Sequence, residues 1–204
     1  MIFSDVNNEL YKRRNEYSKL SKIYYIYKNY KPLPKYIGFV HYRTFFAFEN
    51  NPPDMNKIFE THDAILYKIS VLKTSLYERF ISGCLKSMFD DCIQIVKENF
   101  SEYYETTKKV VNDKKVIYKN SFIMKKEDFI KYCHFIFGVF MEYDRRHNIN
   151  TDEDMRNYLS IELPKWLGHN NFNIKISNRN LAYLGEYFST AFFFHHFKKH
   201  LYVN

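Results

Sequence analysis

Apolar residues recur along this chain with two different periods, and the period changes at junctions rich in proline, asparagine and glycine. Over residues 16–30, Leu20, Ile23, Tyr24 and Tyr27 recur in steps of three and four, the spacing of one helix face. Pro32 and Pro34 end that pattern. Tyr36-Ile37-Gly38-Phe39-Val40 is a short apolar run of strand length that stops abruptly at His41-Tyr42-Arg43. The spacing predicts a strand over 36–41 whose end carries polar side chains to the rim of a sheet, where ligands bind in open α/β folds. Asn50-Asn51-Pro52-Pro53-Asp54 reads as a loop, with Asp54 capping a short helix through Phe59. Ala64–Tyr67 is a second strand.

Residues 75–111 read as helical, with one stripe of Tyr77, Phe80, Ile81 and Cys84 and another of Met88, Cys92, Ile95, Val96 and Phe100. Lys115–Tyr118 and Ser121–Met124 are short strand segments around Asn120. A long helix is expected from Lys126 to about His147, with Phe129, Cys133, Ile136, Phe137, Phe140 and Met141 facing the core. Another is expected over Asp152–Leu167, capped by Thr151 and kinked or ended by Pro164, and a last one from Asn178 to about Lys199. The order is βαβ-like at first and helix-rich in its C-terminal half. With no internal repeat and no long linker, the expectation is one α/β domain spanning 1–204.

Composition narrows the class. In 204 residues, 46% are hydrophobic and 20% aromatic, which favours a packed core over disorder. Cys84, Cys92 and Cys133 are odd in number and form no CxxC pair, so buried reduced thiols are expected rather than a disulfide scaffold or a structural zinc site. No apolar run nears the roughly 20 residues of a membrane span, and the N-terminus lacks a signal-peptide layout; the expected location is cytoplasmic. The formal charge is +8, concentrated between Tyr11 and Tyr36, where eight Lys and Arg face Glu16 alone. Such a patch suits an anionic partner, whether a nucleotide diphosphate, an acidic membrane surface or a nucleic acid, and equally suits a solvated helix face.

Four ordered blocks carry a resemblance. Tyr17–Asn29 is similar to a helix of the form E-L-T-A-L-Y-W-x-W-K-N, Tyr36–Phe46 to Y-V-G-L-C-H-Y-R-R-Y-F, Asn120–Lys126 to N-M-F-I-M-K-K, and Asn178–Glu186 to R-x-x-G-Y-L-x-E. They resemble the uncharacterised-domain family of capsular and exopolysaccharide biosynthesis proteins, regarded as glycosyltransferases of GT-A-like (nucleotide-diphospho-sugar transferase) fold. The resemblance implies a mixed sheet flanked by helices, a nucleotide-sugar donor, a glycan or lipid-linked acceptor, and possible use of manganese or magnesium. The family's pattern begins with a strand and loop ahead of the first block, whereas this chain starts almost at that block, which implies a missing or shortened N-terminal donor-binding portion. Thr44 stands where the second arginine of H-Y-R-R would be, and Ser82–Ser87 lacks the family's histidine.

Glycosyl transfer needs a stabilised leaving diphosphate and an acceptor hydroxyl that loses its proton. His41 and Arg43 stand at a strand end and can face a diphosphate, Arg43 bidentately; the competing reading is a His-Tyr pair holding a strand end. Glu186, on a strongly apolar helix, is a candidate base or one half of a buried pair with Arg179. Tyr42, Asp63, Asn120, Ser121 and Arg179 are candidate donor- or acceptor-binding residues, while Asp63, Asn120 and Ser121 also fit turns. Asp152-Glu153-Asp154 has Asp-x-Asp form but sits at an expected helix start, where acids favour the dipole, and reads as structural. Phe192–His200 fits either a peripheral contact with an anionic membrane or a core-facing terminal helix. Two other functions stay open: a non-catalytic glycosyltransferase-like remnant or partner subunit, and, less favoured for want of any nucleic-acid motif, a basic nucleic-acid-binding module.

Overall fold

The computed structural model describes residues 14–41, 46, 48, 51, 53–167 and 179–203. Tyr42 and Arg43 lie outside them. In chain order the elements are α1 (Arg14–Tyr17), α2 (Lys19–Asn29), β1 (Tyr36–Phe39), α3 (Met55–Thr61), β2 (Ala64–Tyr67), β3 (Ile69–Val71), α4 (Leu76–Ile81), α5 (Lys86–Asn99), α6 (Ser101–Asn112), β4 (Lys115–Ile117), β5 (Phe122–Lys125), α7 (Lys126–Arg146), α8 (Asp152–Leu167), α9 (Asn180–His196) and β6 (His200–Val203). The expected α/β class, a mixed sheet flanked by helices with a helix-rich C-terminal half, is what the chain forms.

The four-stranded sheet has the order β1-β5-β2-β6. β5 runs antiparallel to both β1 and β2, and β6 runs parallel to β2. The βαβ-like reading of the first half is corrected here: β1 and β2 are not neighbours, because β5 inserts between them. Side chains alternate across the pleat. Ile37, Ala64, Leu66, Phe122 and Met124 face the main core, while Ile65 and Ile123 face a smaller cluster with Phe46 and Phe59. Both faces of the sheet are thus covered, which accounts for Ala64, Ile65 and Leu66 all being fully buried.

The main core is an aromatic lattice between α7 and α9. Tyr132 stacks on Phe193 with centroids 5.9 Å apart, and Phe122 from β5 meets both rings. Two glycines set the closeness of helix packing. A Cβ at Gly138 would come within 2.3 Å of Phe100, and one at Gly185 within 2.5 Å of Leu20. Gly185 therefore fixes how near α2 lies to α9.

Local signals explain most boundaries. Asp54 accepts from the Asn56 N–H at 2.9 Å and caps α3. Ser75 and Glu78 form a reciprocal capping box on α4. Asp154 and Thr151 satisfy each other's backbone N–H groups at the start of α8, so the Asp152–Asp154 run is a helix start. The stretch expected to be helical over 75–111 is three helices. It breaks at Ser82–Leu85 and again at Phe100, whose backbone is non-helical (φ −140°, ψ 48°).

Candidate active site

The register of the sheet builds the site. Because β1 and β5 are antiparallel, with Phe39 opposite Phe122, the end of β1 meets the start of β5. The His41 backbone N–H donates to Ser121 Oγ at 3.2 Å. β2 ends beside the same point, with the Tyr67 N–H donating to the Ser121 carbonyl at 3.1 Å. The turn that leads into β5 is tight: Lys119 and Asn120 both adopt left-handed backbone conformations (φ 72° and 45°), a costly state for residues with side chains.

Beside this turn is a cavity of about 160 Å³ with three walls. The first is the strand end and turn, with His41, Lys119 and Asn120. The second is the first two turns of α9, where Arg179, Ala182, Tyr183 and Glu186 follow the spacing of one helix face. The third is the junction of α1 and α2, Tyr17-Ser18-Lys19, where Ser18 (φ 49°) breaks the helix in two and turns Lys19 inward.

Hydrogen bonds tie the walls together. Lys19 Nζ donates to the carbonyls of Lys119 (2.6 Å) and Asn120 (2.8 Å). Glu186 Oε1 accepts from the Lys119 N–H at 2.7 Å. Thr190, one turn on, accepts from the Ile117 N–H at 3.0 Å and donates to the Glu186 carbonyl at 2.8 Å. Burial moves both ionisable groups towards neutrality: it raises the Glu186 carboxyl to about 7, against the Lys119 N–H and the lysine charges that favour its ionised form, and it lowers the Lys19 ammonium to about 7, against the attraction of Glu186.

Of the residues expected from sequence, His41, Asn120, Arg179 and Glu186 converge on this cavity, and Ser121 underlies it. Asp63 is elsewhere. It enters β2 at the opposite end of the sheet and accepts from the Lys198 and Lys199 N–H groups, both at 2.9 Å. Those bonds hold its carboxyl below the usual range; it joins β6 to the sheet and faces no cavity residue. Arg43 and Tyr42 fall outside the described residues. The terminal aromatic run is core-facing: Phe192, Phe193 and Phe197 are buried, and His196 bonds Asp128 at 2.8 Å. Lys19 was missed as a site residue. The sequence sets it between Ser18 and Leu20 in a lysine-rich segment, with nothing to mark it among the other lysines.

The donors present suit anions and hydroxyls better than a divalent cation, since Glu186 is one carboxylate beside Lys19, Lys119 and Arg179. Among the described residues no three His, Cys, Asp or Glu side chains group as metal ligands. Nor, among them, is any helix long and apolar enough to cross a membrane.

The model of DUF4422, a domain of unknown function, matches residues 3–163. The chain belongs to the DUF4422 family. A comparison with curated proteins finds no match. Among solved structures, this DUF4422 chain is similar to the apo structure of the WbbM bifunctional glycosyltransferase, with a TM-score of 0.67 and 19% identity. The likeness covers 98% of this chain and 38% of that one. At this identity it establishes a shared, glycosyltransferase-like fold, and the DUF4422 chain spans 38% of that protein's length.

Proposed function

We propose that this domain is a glycosyltransferase that moves a sugar from a nucleotide-sugar donor to a glycan acceptor in surface polysaccharide synthesis. The observation that carries the reading is the convergence of His41, Asn120, Arg179 and Glu186, from three distant segments, on one cavity at a strand end of a glycosyltransferase-like fold.

The reaction assigned to these residues is a displacement at the donor's anomeric carbon. The acceptor oxygen forms a bond to the donor's anomeric carbon as the bond from that carbon to the diphosphate oxygen breaks, and the diphosphate leaves with the electron pair. Glu186 takes the hydroxyl proton. Its carboxyl, raised to about 7 by burial, is close to the working pH, where general bases are most effective. Arg179 and His41, at the cavity wall, with Arg43 beyond the end of β1, are the groups assigned to the charge on the leaving diphosphate.

Isothermal titration with UDP, GDP and their hexose conjugates, with and without manganese, tests the reading. A dissociation constant in the micromolar to low millimolar range for at least one nucleotide is expected. Absence of binding by all of them at millimolar concentration removes the transferase assignment.

A further inference from the structure

Three strained residues of the cavity wall converge on one ammonium. Among the described residues, four that are not glycine have positive φ, and three of them, Ser18 (49°), Lys119 (72°) and Asn120 (45°), line this cavity. Such conformations persist only where the surroundings hold them, and they gather at functional sites. Lys19 follows the first of the three and holds the other two, donating from Nζ to the Lys119 carbonyl at 2.6 Å and the Asn120 carbonyl at 2.8 Å. Glu186 holds the opposite end of Lys119, accepting its N–H at 2.7 Å. Lys119 is thus gripped by a carboxylate at its nitrogen and by an ammonium at its carbonyl.

Gripping two carbonyls does not require a charge. A neutral amide donor would do it with less loss of hydration than an ammonium suffers. What the cation adds is its field on Glu186, which shares the cavity with it. That attraction favours the carboxylate, against the burial that favours the neutral acid. Around Glu186 also stand Lys119 and Arg179, the imidazole of His41 and the phenol of Tyr17, all on the cavity wall. The phenols of Tyr118, Tyr132 and Tyr187 lie close enough to feel its charge. Lys119 also favours the carboxylate, but its ammonium lies over the Tyr67 ring, 5.0 Å from the centroid. Lys19 is the cation whose hydrogen bonds fix it to the turn that Glu186 also holds.

We propose that Lys19 is the positioning residue for Glu186: it locks the left-handed turn that meets the carboxylate, and its positive charge holds that carboxylate ionised to receive a proton. That the proton comes from an acceptor hydroxyl rests on the glycosyltransferase reading; the grip on the turn and the charge partnership do not.

NMR of the Glu186 side-chain carboxyl and the Lys19 side chain tests it, followed through a pH titration of the full chain without ligand. Lys19→Gln keeps amide donors and removes the charge. The Glu186 midpoint is expected to rise by about 1 pH unit, the size of effect that a neighbouring opposite charge exerts. Lys19→Arg keeps the charge and donors for both carbonyls, and is expected to leave the midpoint near that of the wild type. Glu186→Gln reads the same coupling from the other side: it is expected to lower the Lys19 midpoint, because Glu186 favours the ammonium. In a transfer assay, Lys19→Gln is expected to lower kcat about fivefold at pH 7, the loss of ionised Glu186 that such a rise produces, and to recover most of it at pH 9. Affinity for UDP or GDP is expected to stay unchanged.

An unmoved Glu186 midpoint in Lys19→Gln, or an unmoved Lys19 midpoint in Glu186→Gln, overturns the partnership. If the Gln and Arg variants both melt lower while Glu186 titrates as in the wild type, Lys19 is a structural residue. If Lys19→Gln weakens nucleotide binding with Glu186 unmoved, Lys19 is a ligand contact instead. A Glu186 midpoint that follows the charge on residue 19, with neither UDP nor GDP binding, upholds the partnership while removing the transferase reading; nucleotide binding with an unmoved midpoint does the reverse.

Discussion

Glu186 shows how one residue's surroundings set its chemistry. In water its carboxyl would be ionised above about 4.5; burial delays that to about 7. Because the folded value lies above the unfolded one, the stability associated with this group is fully present below pH 4.5 and is lost as pH rises through 7. Glu186→Gln is therefore expected to melt higher than the wild type at pH 8 and about level with it near pH 4.5, as scanning calorimetry at the two pH values would show. If Glu186 is the base, the same change lowers kcat/KM at least ~100-fold and removes the rise in rate across pH 7. The cysteines are the contrasting case. All three are buried, burial pushes Cys84 up to about 12, and it raises Cys92 and Cys133 well above their usual value. Without thiolate character they should be inert: a chromogenic disulfide reagent is expected to leave them unmodified in the native protein and to titrate all three in denaturant.

At the level of elements, packing decides what periodicity leaves open. The strands β1, β2 and β5 and the helix α7 were legible in the sequence. Apolar runs of about four residues bounded by turn residues are too short for helices, and an aromatic stripe sustained over about twenty is too long for a strand. β6 was not legible: His200–Val203 follows an unbroken aromatic helix, and only its parallel pairing with β2, a contact invisible in local sequence, makes it a strand. The site divides in the same way. His41, Asn120 and Glu186 were legible as polar residues where an apolar pattern ends or is interrupted. Lys19 looked like any other lysine until the helix break at Ser18 turned it inward. Close packing near the site gives two predictions. Gly185→Ala would press a methyl group into Leu20; overpacking of about 1–3 kcal/mol, offset by up to ~1 kcal/mol of helix propensity, should lower the melting temperature. Thr190→Val is nearly isosteric but leaves the Ile117 N–H without its acceptor, a cost of about 1–3 kcal/mol measurable by urea unfolding.

For the whole molecule, the excess of positive charge is only partly a binding feature. Lys19 serves the cavity, whereas Lys28 and Lys31 lie over tyrosine rings and Lys35 bonds Asn56. Within the segment that looked most like an anion-binding surface, these three lysines thus lie along their own neighbours. The arrangement of the sheet matters more. β5 separates β1 from β2, and β6 comes last of all. During synthesis the two earliest strands leave the ribosome with no partner to pair with, and they remain unpaired in this sheet until β5, which begins at Phe122, has followed them. Nascent chains of this kind are slow to mature and prone to clump. A fragment ending after Asn112 should sediment with insoluble material, whereas the full chain should give more soluble product at low growth temperature or with extra chaperone, because time in the cell, rather than final stability, limits its yield.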